Sequence, residues 1–307
     1  MFNEKLDDIV ARIESNYNEQ VLDFNNVDRH FPNKQEVFDI IKALRRVMFP
    51  RFFGNETPCG AGPKYFIGET LTQVEEALHR QVREALLFRD KGVKTFEEID
   101  AETSQICSDL FYKLPELQIT LLKDVDAAFD GDPAAGSKEE IIYCYPGFFA
   151  IFVYRIAHEL AVRDVPLLPR IMTEYAHEKT GVDIGAKAVI GEYFFIDHAA
   201  GVVIGETTVI GDHVKIYQGV TLGALSTRGG QKLAGVKRHP TIEDDVTIYS
   251  NASVLGGETV VGRGSVIAGS AFVTESVPAN SRVSLKNQEV SVRQPHVRKP
   301  ASYDYEI

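Results

Sequence analysis

Apolar positions change their period part-way along the chain. Up to about residue 180 they recur at helical spacing. Leu6, Ile9, Val10 and Ile13 stand at i, i+3, i+4 and i+7, and Val37, Ile40, Ile41, Leu44, Val47 and Met48 form a second stripe. A longer stripe over residues 70–89 carries Val74, Ala77, Leu78, Val82, Ala85 and Leu86. Thr70 followed by Gln73 predicts a capping box at its start. Residues 145–163 and 167–179 read as two further helices, with Pro146 near the start of the first and Pro166 between them. Residues 1–180 are therefore expected to form an α-helical domain.

From Val182 onward the period is six. Ile184, Ile190 and Ile196 are six apart, and so are Ile204, Ile210, Ile216 and Leu222. Ile242, Ile248 and Val254 continue the pattern, followed by Val261, Ile267 and Val273. Gly follows many of these anchors, as at Gly185, Gly191, Gly205, Gly211, Gly223 and Gly262. An α-helix cannot hold a strict period of six. The pattern predicts a parallel β-helix over residues 181–283, in which each hexad is one short strand and one turn, with about four coils. Residues 284–307 are expected to be a tail. The fold class is α+β: helices, then a β-helix, then the tail.

The period breaks in three places. Ile196 to Ile204 is eight residues, Leu222 to Ile242 is twenty, and Val254 to Val261 is seven. A solenoid expels such insertions to its surface, where they can carry function.

Composition narrows the classes. The chain has 307 residues, with 44% hydrophobic and 25% charged, an ordinary globular balance. The net charge of -11 argues against broad binding to nucleic acid or an anionic membrane. No apolar run reaches the ~18 residues of a membrane-spanning helix, and the N-terminus lacks the pattern of a signal peptide. The three cysteines, Cys59, Cys107 and Cys144, stand in no Cys-x-x-Cys pair. A reduced, cytoplasmic setting is expected.

The breaks hold the candidate chemistry. His198 follows Asp197 in a run of small residues at the eight-residue break, which leaves room for a ligand. Imidazole titrates nearest neutral pH and suits a general base. A carboxylate on its other nitrogen would set the tautomer, and Asp183, fifteen residues earlier, is the candidate. Arg238 and His239 close the long insertion.

These residues stand in an order that resembles the serine acetyltransferases. The motifs are Val182-Asp183-Ile184, Asp197-His198-Ala199, Ile204-Gly205-Glu206-Thr207, Val220-Thr221-Leu222-Gly223 and Arg238-His239-Pro240. Upstream, Asp132-Pro133-Ala134, Gly147-Phe148 and Tyr154-Arg155-Ile156 sit at the family's spacing. The resemblance covers residues from about 120 to 280. It implies a left-handed parallel β-helix and acetyl transfer from acetyl-CoA to the hydroxyl of L-serine, giving O-acetylserine for cysteine biosynthesis. His198 corresponds to the general base and Asp183 to its paired carboxylate. Asp132 and Asp197 correspond to the residues that receive the serine ammonium, and Arg238 and His239 to those that hold its carboxylate. No metal is implied. For the coenzyme, backbone groups near Gly223, Ala224, Ala252, Gly269 and Ser270 are the candidates, because turns of small residues leave a groove.

The sequence departs from the common pattern in a longer loop before Arg238, in Gly223-Ala224 for a Gly-Gly pair, and in residues 283–287. The resemblance further implies a homotrimer or a dimer of trimers with active sites between subunits, and L-cysteine as a feedback inhibitor. It also implies capture of O-acetylserine sulfhydrylase by the terminal Ile307. Competing readings are an acyltransferase acting on a sugar or another amine, a zinc hydratase using His198, His213 and His239, and a β-helix without catalysis.

Overall fold

The described residues of the N-terminal region form seven helices. In the computed structural model, which describes residues 2–17, 30–53 and 62–286, α1 spans Phe2–Asn16, α2 Lys34–Met48 and α3 Pro63–Asp90. They are followed by α4 Phe96–Gly131, α5 Lys138–Cys144, α6 Pro146–Ala161 and α7 Leu168–Thr180. Cys59, most of the tail and Ile307 lie outside the described residues. The Asn33 side chain accepts from the Gln35 and Glu36 N–H groups and caps α2, whose Val37, Ile40, Ile41, Leu44 and Met48 are buried. The stripe of α1, by contrast, is exposed at Leu6, Ile9, Val10 and Ile13.

Three helices differ from the sequence expectation, the short α5 among them, for which no stripe was read. α3 begins at Pro63, not Thr70, because Phe66, Thr70 and Val74 continue one buried stripe. Thr70 is therefore inside the helix and caps nothing. α4 was not expected at all. Its capping box is Thr95 with Glu98: the Glu98 N–H donates to Thr95 Oγ1 at 3.2 Å, and the Thr95 N–H donates to Glu98 Oε2 at 2.8 Å. Pro115 inside α4 obscures the pattern. A proline there costs roughly 3 kcal/mol, which burial of Leu110, Leu114, Leu117 and Leu121 offsets. Among the described residues no single helix is long and apolar enough to cross a membrane.

The hexads form three parallel sheets. The strands are β1 Asp183–Ile184, β2 Val189–Ile190, β3 Phe195–Asp197, β4 Val203–Ile204, β5 Val209–Ile210, β6 Lys215–Tyr217 and β7 Thr221–Gly223. Then come β8 Thr241–Ile242, β9 Thr247–Ile248, β10 Ser253–Leu255, β11 Val260–Val261, β12 Val266–Ile267, β13 Phe272–Val273 and β14 Arg282–Val283. The first sheet is β1-β4-β7-β10-β13, the second β2-β5-β8-β11 and the third β3-β6-β9-β12-β14. In the first sheet Ile184, Ile204, Leu222, Val254 and Val273 pair in register. Equivalent columns run through Ile190, Ile210, Ile242 and Val261, and through Ile196, Ile216, Ile248 and Ile267. Every predicted anchor is thus a core residue, as side-chain alternation along a strand requires.

There are about five coils rather than four. The last has no hexad in its second strand, where a single bridge, Val277 to Val261, replaces it. The long insertion leaves after β7 and returns at β8 without disturbing register.

The helices grip the first coil through a buried ion pair. Arg155 Nε and Nη2 donate to the two carboxylate oxygens of Asp124 at 2.6 and 2.8 Å. Arg155 also donates to the Gly191 carbonyl at 2.8 Å, and the Phe194 N–H donates to Asp124 at 2.9 Å. Burial alone would lower the Arg155 pKa, but the Asp124 carboxylate reverses this and raises it. The Tyr154 hydroxyl donates to the Ala188 carbonyl at 2.6 Å. These bonds orient α4 and α6 on the coil, and so place Asp132 and Tyr145 near β3.

Candidate active site

At the corner leading from the third sheet to the first, successive coils stack Gly201, Gly219, Asn251 and Ser270, all at positive φ. The first of these turns holds the two extra residues. His198 and Ala199 both adopt left-handed backbone, φ 57° and 64°, with Ala199 fully buried. Left-handed residues recur at the corners of this coil, as at His213, Asn251 and Ser270; two in succession set this turn apart. The His198 ring projects into solvent, 68% exposed, with Nε2 3.7 Å from Asp197 Oδ1.

Two elements bring further groups to this corner. Asp132 is the C-cap of α4. Its Oδ2 accepts from the Tyr145 hydroxyl at 2.5 Å and its Oδ1 from the Ala134 N–H at 2.8 Å. These bonds, the Tyr145 one foremost, hold its carboxyl below the usual carboxylate range, with His198 and Lys215 adding smaller contributions. Burial and the same carboxylate push the Tyr145 phenol up. Lys215 Nζ lies 3.7 Å from Asp197 Oδ2. α6 can approach because Gly147 has no side chain: a Cβ there would stand 2.4 Å from the Ile196 carbonyl oxygen. The result is a pair of carboxylates beside an exposed imidazole, a setting for an alkylammonium next to a base.

A second cluster lies at the other edge of the first sheet. A cavity of about 430 Å³ is lined on one side by Asp183, Glu206, Arg238 and His239, and on the other by Ala161, Val165 and Leu167. Arg238 Nη2 donates to Glu206 Oε2 at 2.8 Å. Thr207 organises the returning loop. Its Oγ1 accepts from the N–H groups of Arg238 and His239 at 3.0 and 3.1 Å. Its own O–H then donates to His239 Nδ1 at 2.8 Å, and its backbone N–H also points at Nδ1 at 3.1 Å. With Nδ1 an acceptor, the ring proton resides on Nε2. Burial first, then Arg238 and Lys237, lower the His239 pKa to about 4. His239 is thus a neutral N–H donor beside a guanidinium, a pair suited to a carboxylate.

Asp183 belongs to this second cluster. Its carboxylate has no hydrogen-bond or ion-pair partner among the described residues, and within one chain it is not bonded to His198. The predicted site residues therefore fall into two groups, Asp132, Asp197 and His198 at one corner, and Asp183, Arg238 and His239 at the next.

No family model matches the chain. A plasmid serine acetyltransferase of Synechococcus elongatus is 47% identical over 260 residues, spanning 82% of this chain and 81% of its own. The chain belongs to the serine acetyltransferase family. Solved structures agree. Entamoeba histolytica serine acetyltransferase 1 in complex with L-cysteine is 36% identical with a TM-score of 0.70, covering 83% of this chain and 87% of its own. Neisseria gonorrhoeae serine acetyltransferase in complex with serine has a TM-score of 0.52 at 25% identity, covering 81% and 96%.

The residues expected to meet the coenzyme of a serine acetyltransferase flank the outer face of the first sheet. Gly223 and Ala224 lie at its exit, Gly269 and Ser270 at its entry. Between them Val203, Thr221 and Ser253 stack in register as a run of small side chains, closed on the Ser270 side by the exposed Phe272 that pairs with Ser253. Ala252 differs. It is fully buried, its N–H donates to Tyr249 and its carbonyl accepts from Thr221, so it offers a ligand nothing. Small size at a hexad corner marked a core position, not a groove.

The three histidines of the zinc reading sit at three different corners. His198 follows β3, His213 follows β5 and stacks on Tyr193 at 4.3 Å, and His239 follows the insertion. Among the described residues no group of three or more His, Cys, Asp or Glu side chains is placed to hold a metal ion. Sequence reasoning missed Tyr145, Lys215, Thr207 and Glu206 as site residues. Glu206 and Thr207 were within the quoted motif and could have been found there. Tyr145 and Lys215 carried no local signal.

Proposed function

We propose that the serine acetyltransferase reaction takes place between neighbouring copies of this chain, each supplying one of the two clusters. As a member of its family the chain transfers acetyl from acetyl-CoA to the L-serine hydroxyl, giving O-acetylserine and CoA. The observation that carries the shared site is the separation of the two groups. An ammonium pocket and a carboxylate pocket must both reach one small amino acid, yet in a single chain they occupy successive corners of the coil. Packing three copies side by side brings one copy's corner to the next copy's sheet face, and a trimer or a pair of trimers follows.

Asp132 and Asp197 then receive the serine ammonium. The Arg238 fork and the His239 Nε2–H hold its carboxylate. His198 accepts the hydroxyl proton as the serine oxygen attacks the thioester carbonyl, and the neighbouring copy's Asp183 steadies the imidazolium. The tetrahedral adduct collapses with loss of the thiolate, which takes the proton back from His198. Thiolate is a good leaving group, so a positioned base and two oriented substrates account for much of the rate. The coenzyme is read as lying along the first sheet, near Gly223, Ala224, Gly269 and Ser270.

L-Cysteine carries the same α-ammonium and α-carboxylate and is read as a competitor of serine, hence a feedback inhibitor. The same reading places the enzyme in the cytoplasm, on cysteines that are few, odd in number and in no Cys-x-x-Cys pair. It assigns capture of O-acetylserine sulfhydrylase to Ile307, a reading that rests on sequence. Deleting Ile307 should abolish that binding in titration calorimetry and leave acetyl transfer intact.

The test of the shared site is a mixing experiment. His198→Ala and Arg238→Ala are each nearly inactive in serine-dependent thiol release from acetyl-CoA. Unfolded and refolded together, they recover roughly a quarter of parental activity, since only a site with both intact donors works in a randomly mixed ring. No recovery would place both clusters in one subunit's site.

A further inference from the structure

The groups that face serine are not all that shape its pocket. Lys215 opens β6 on the outer face of the third sheet, in register with Phe195. Its ammonium makes four contacts. It donates to the Gly131 carbonyl at 2.5 Å, lies 3.7 Å from Asp197 Oδ2, and stands 4.9 and 4.6 Å from the ring centres of Phe195 and Tyr217. The side chain is only 20% exposed.

The placement is specific. Gly131 is the last residue of α4, where unpaired carbonyls gather the negative end of the helix dipole. The next residue is Asp132. One cation thus ties the helix end that carries one pocket carboxylate to the strand that carries the other. Gly131 is fitted to this contact: a Cβ there would stand 2.9 Å from the Phe195 ring and 3.5 Å from Lys215 Nζ. The two ring faces add cation–π attraction and keep water away.

We propose that Lys215 is a positioning residue for the amino-acid substrate, one that sets the Asp132–Asp197 spacing and leaves that pocket a single net negative charge. The proposal rests on the serine reading of the site. Two carboxylates drawn together for one ammonium repel each other when it is absent. Lys215 supplies a permanent counter-charge from behind, already engaged by a carbonyl and two rings. Serine therefore meets a pocket that is preorganised and matched to its charge. Lys215 touches neither substrate, so its effect is confined to binding geometry at the amino group.

The test is steady-state kinetics on full-length Lys215→Met, Lys215→Arg and Gly131→Ala, after the parent has been shown to acetylate serine. Lys215→Met raises the KM for serine and the inhibition constant of L-cysteine together, roughly tenfold, the worth of one charged hydrogen bond. Its kcat and its KM for acetyl-CoA stay within about threefold. Lys215→Arg recovers most of the loss. Gly131→Ala, which displaces the helix end while keeping the charge, repeats the serine defect, and it decides the matter with Lys215→Arg if Lys215→Met fails to fold. An unchanged serine KM, a lower one, or equal losses for both substrates would overturn the proposal. A parent inactive on serine would overturn the functional reading instead.

Discussion

Gly205→Ala should disable serine recognition without unfolding the coil. Gly205 follows β4, and its backbone donates to Leu222 and accepts from Thr208. Its φ is not in the left-handed region, so alanine suits the backbone. The obstacle is the His239 ring: a methyl on Gly205 would stand 2.1 Å from Cδ2, 2.3 Å from Nε2 and 2.5 Å from Cγ. Carbon atoms in contact need about 3.5–4.0 Å, so the ring must move by more than ~1 Å. It cannot do so and keep Nδ1 on Thr207 at 2.8 Å. Overpacking of this kind costs about 1–3 kcal/mol. Taken wholly from the serine complex, that is roughly a 5- to 150-fold loss in kcat/KM for serine. The assay is thiol release from acetyl-CoA with each substrate varied in turn. The KM for acetyl-CoA should change little, and the melting temperature should fall by only a few degrees. A serine kcat/KM within twofold of the parent would show that His239 does not hold the substrate, and the carboxylate pocket would have to be placed elsewhere.

Three further outcomes are expected. His198→Ala should lower turnover by roughly 10²–10⁴ with acetyl-CoA binding unchanged, since a positioned base is lost; calorimetry and initial rates together check this. Stability should rise with pH between about 4 and 6.5, because His239 takes up a proton in the unfolded chain before it does in the folded one. The contribution is complete above 6.5, is lost as pH falls toward 4, and is at most about 3 kcal/mol; His239→Gln should flatten this slope in denaturant melts. Arg155→Met, which strands the buried Asp124 carboxylate, should cost about 3–5 kcal/mol, and Asp124→Leu in the same chain should recover much of it.

What could be read from the sequence is whatever repeats along it. The period of six named the inward residue of each strand, and all of those anchors are buried, because a coil stacked on coils leaves one side of a strand no other place to go. The eight-residue step at His198 and the long insertion before Arg238 were visible as departures from that rule, and they hold the candidate site residues. α4 escaped because Pro115 interrupts a stripe whose cap, Thr95 with Glu98, was nonetheless written out. Spacing suggested Asp183 beneath His198, but spacing along a coil does not say which corner a side chain faces. Only the packed structure put Asp183 with Arg238 and His239. It also decided that Tyr145, Lys215 and Gly131 converge on the Asp132–Asp197 pair. Those residues come from two helices and a strand up to 84 positions apart. Their meeting is set by how α4 and α6 seat on the first coil through Asp124, Tyr154 and Arg155, a long-range packing outcome to which no local period corresponds.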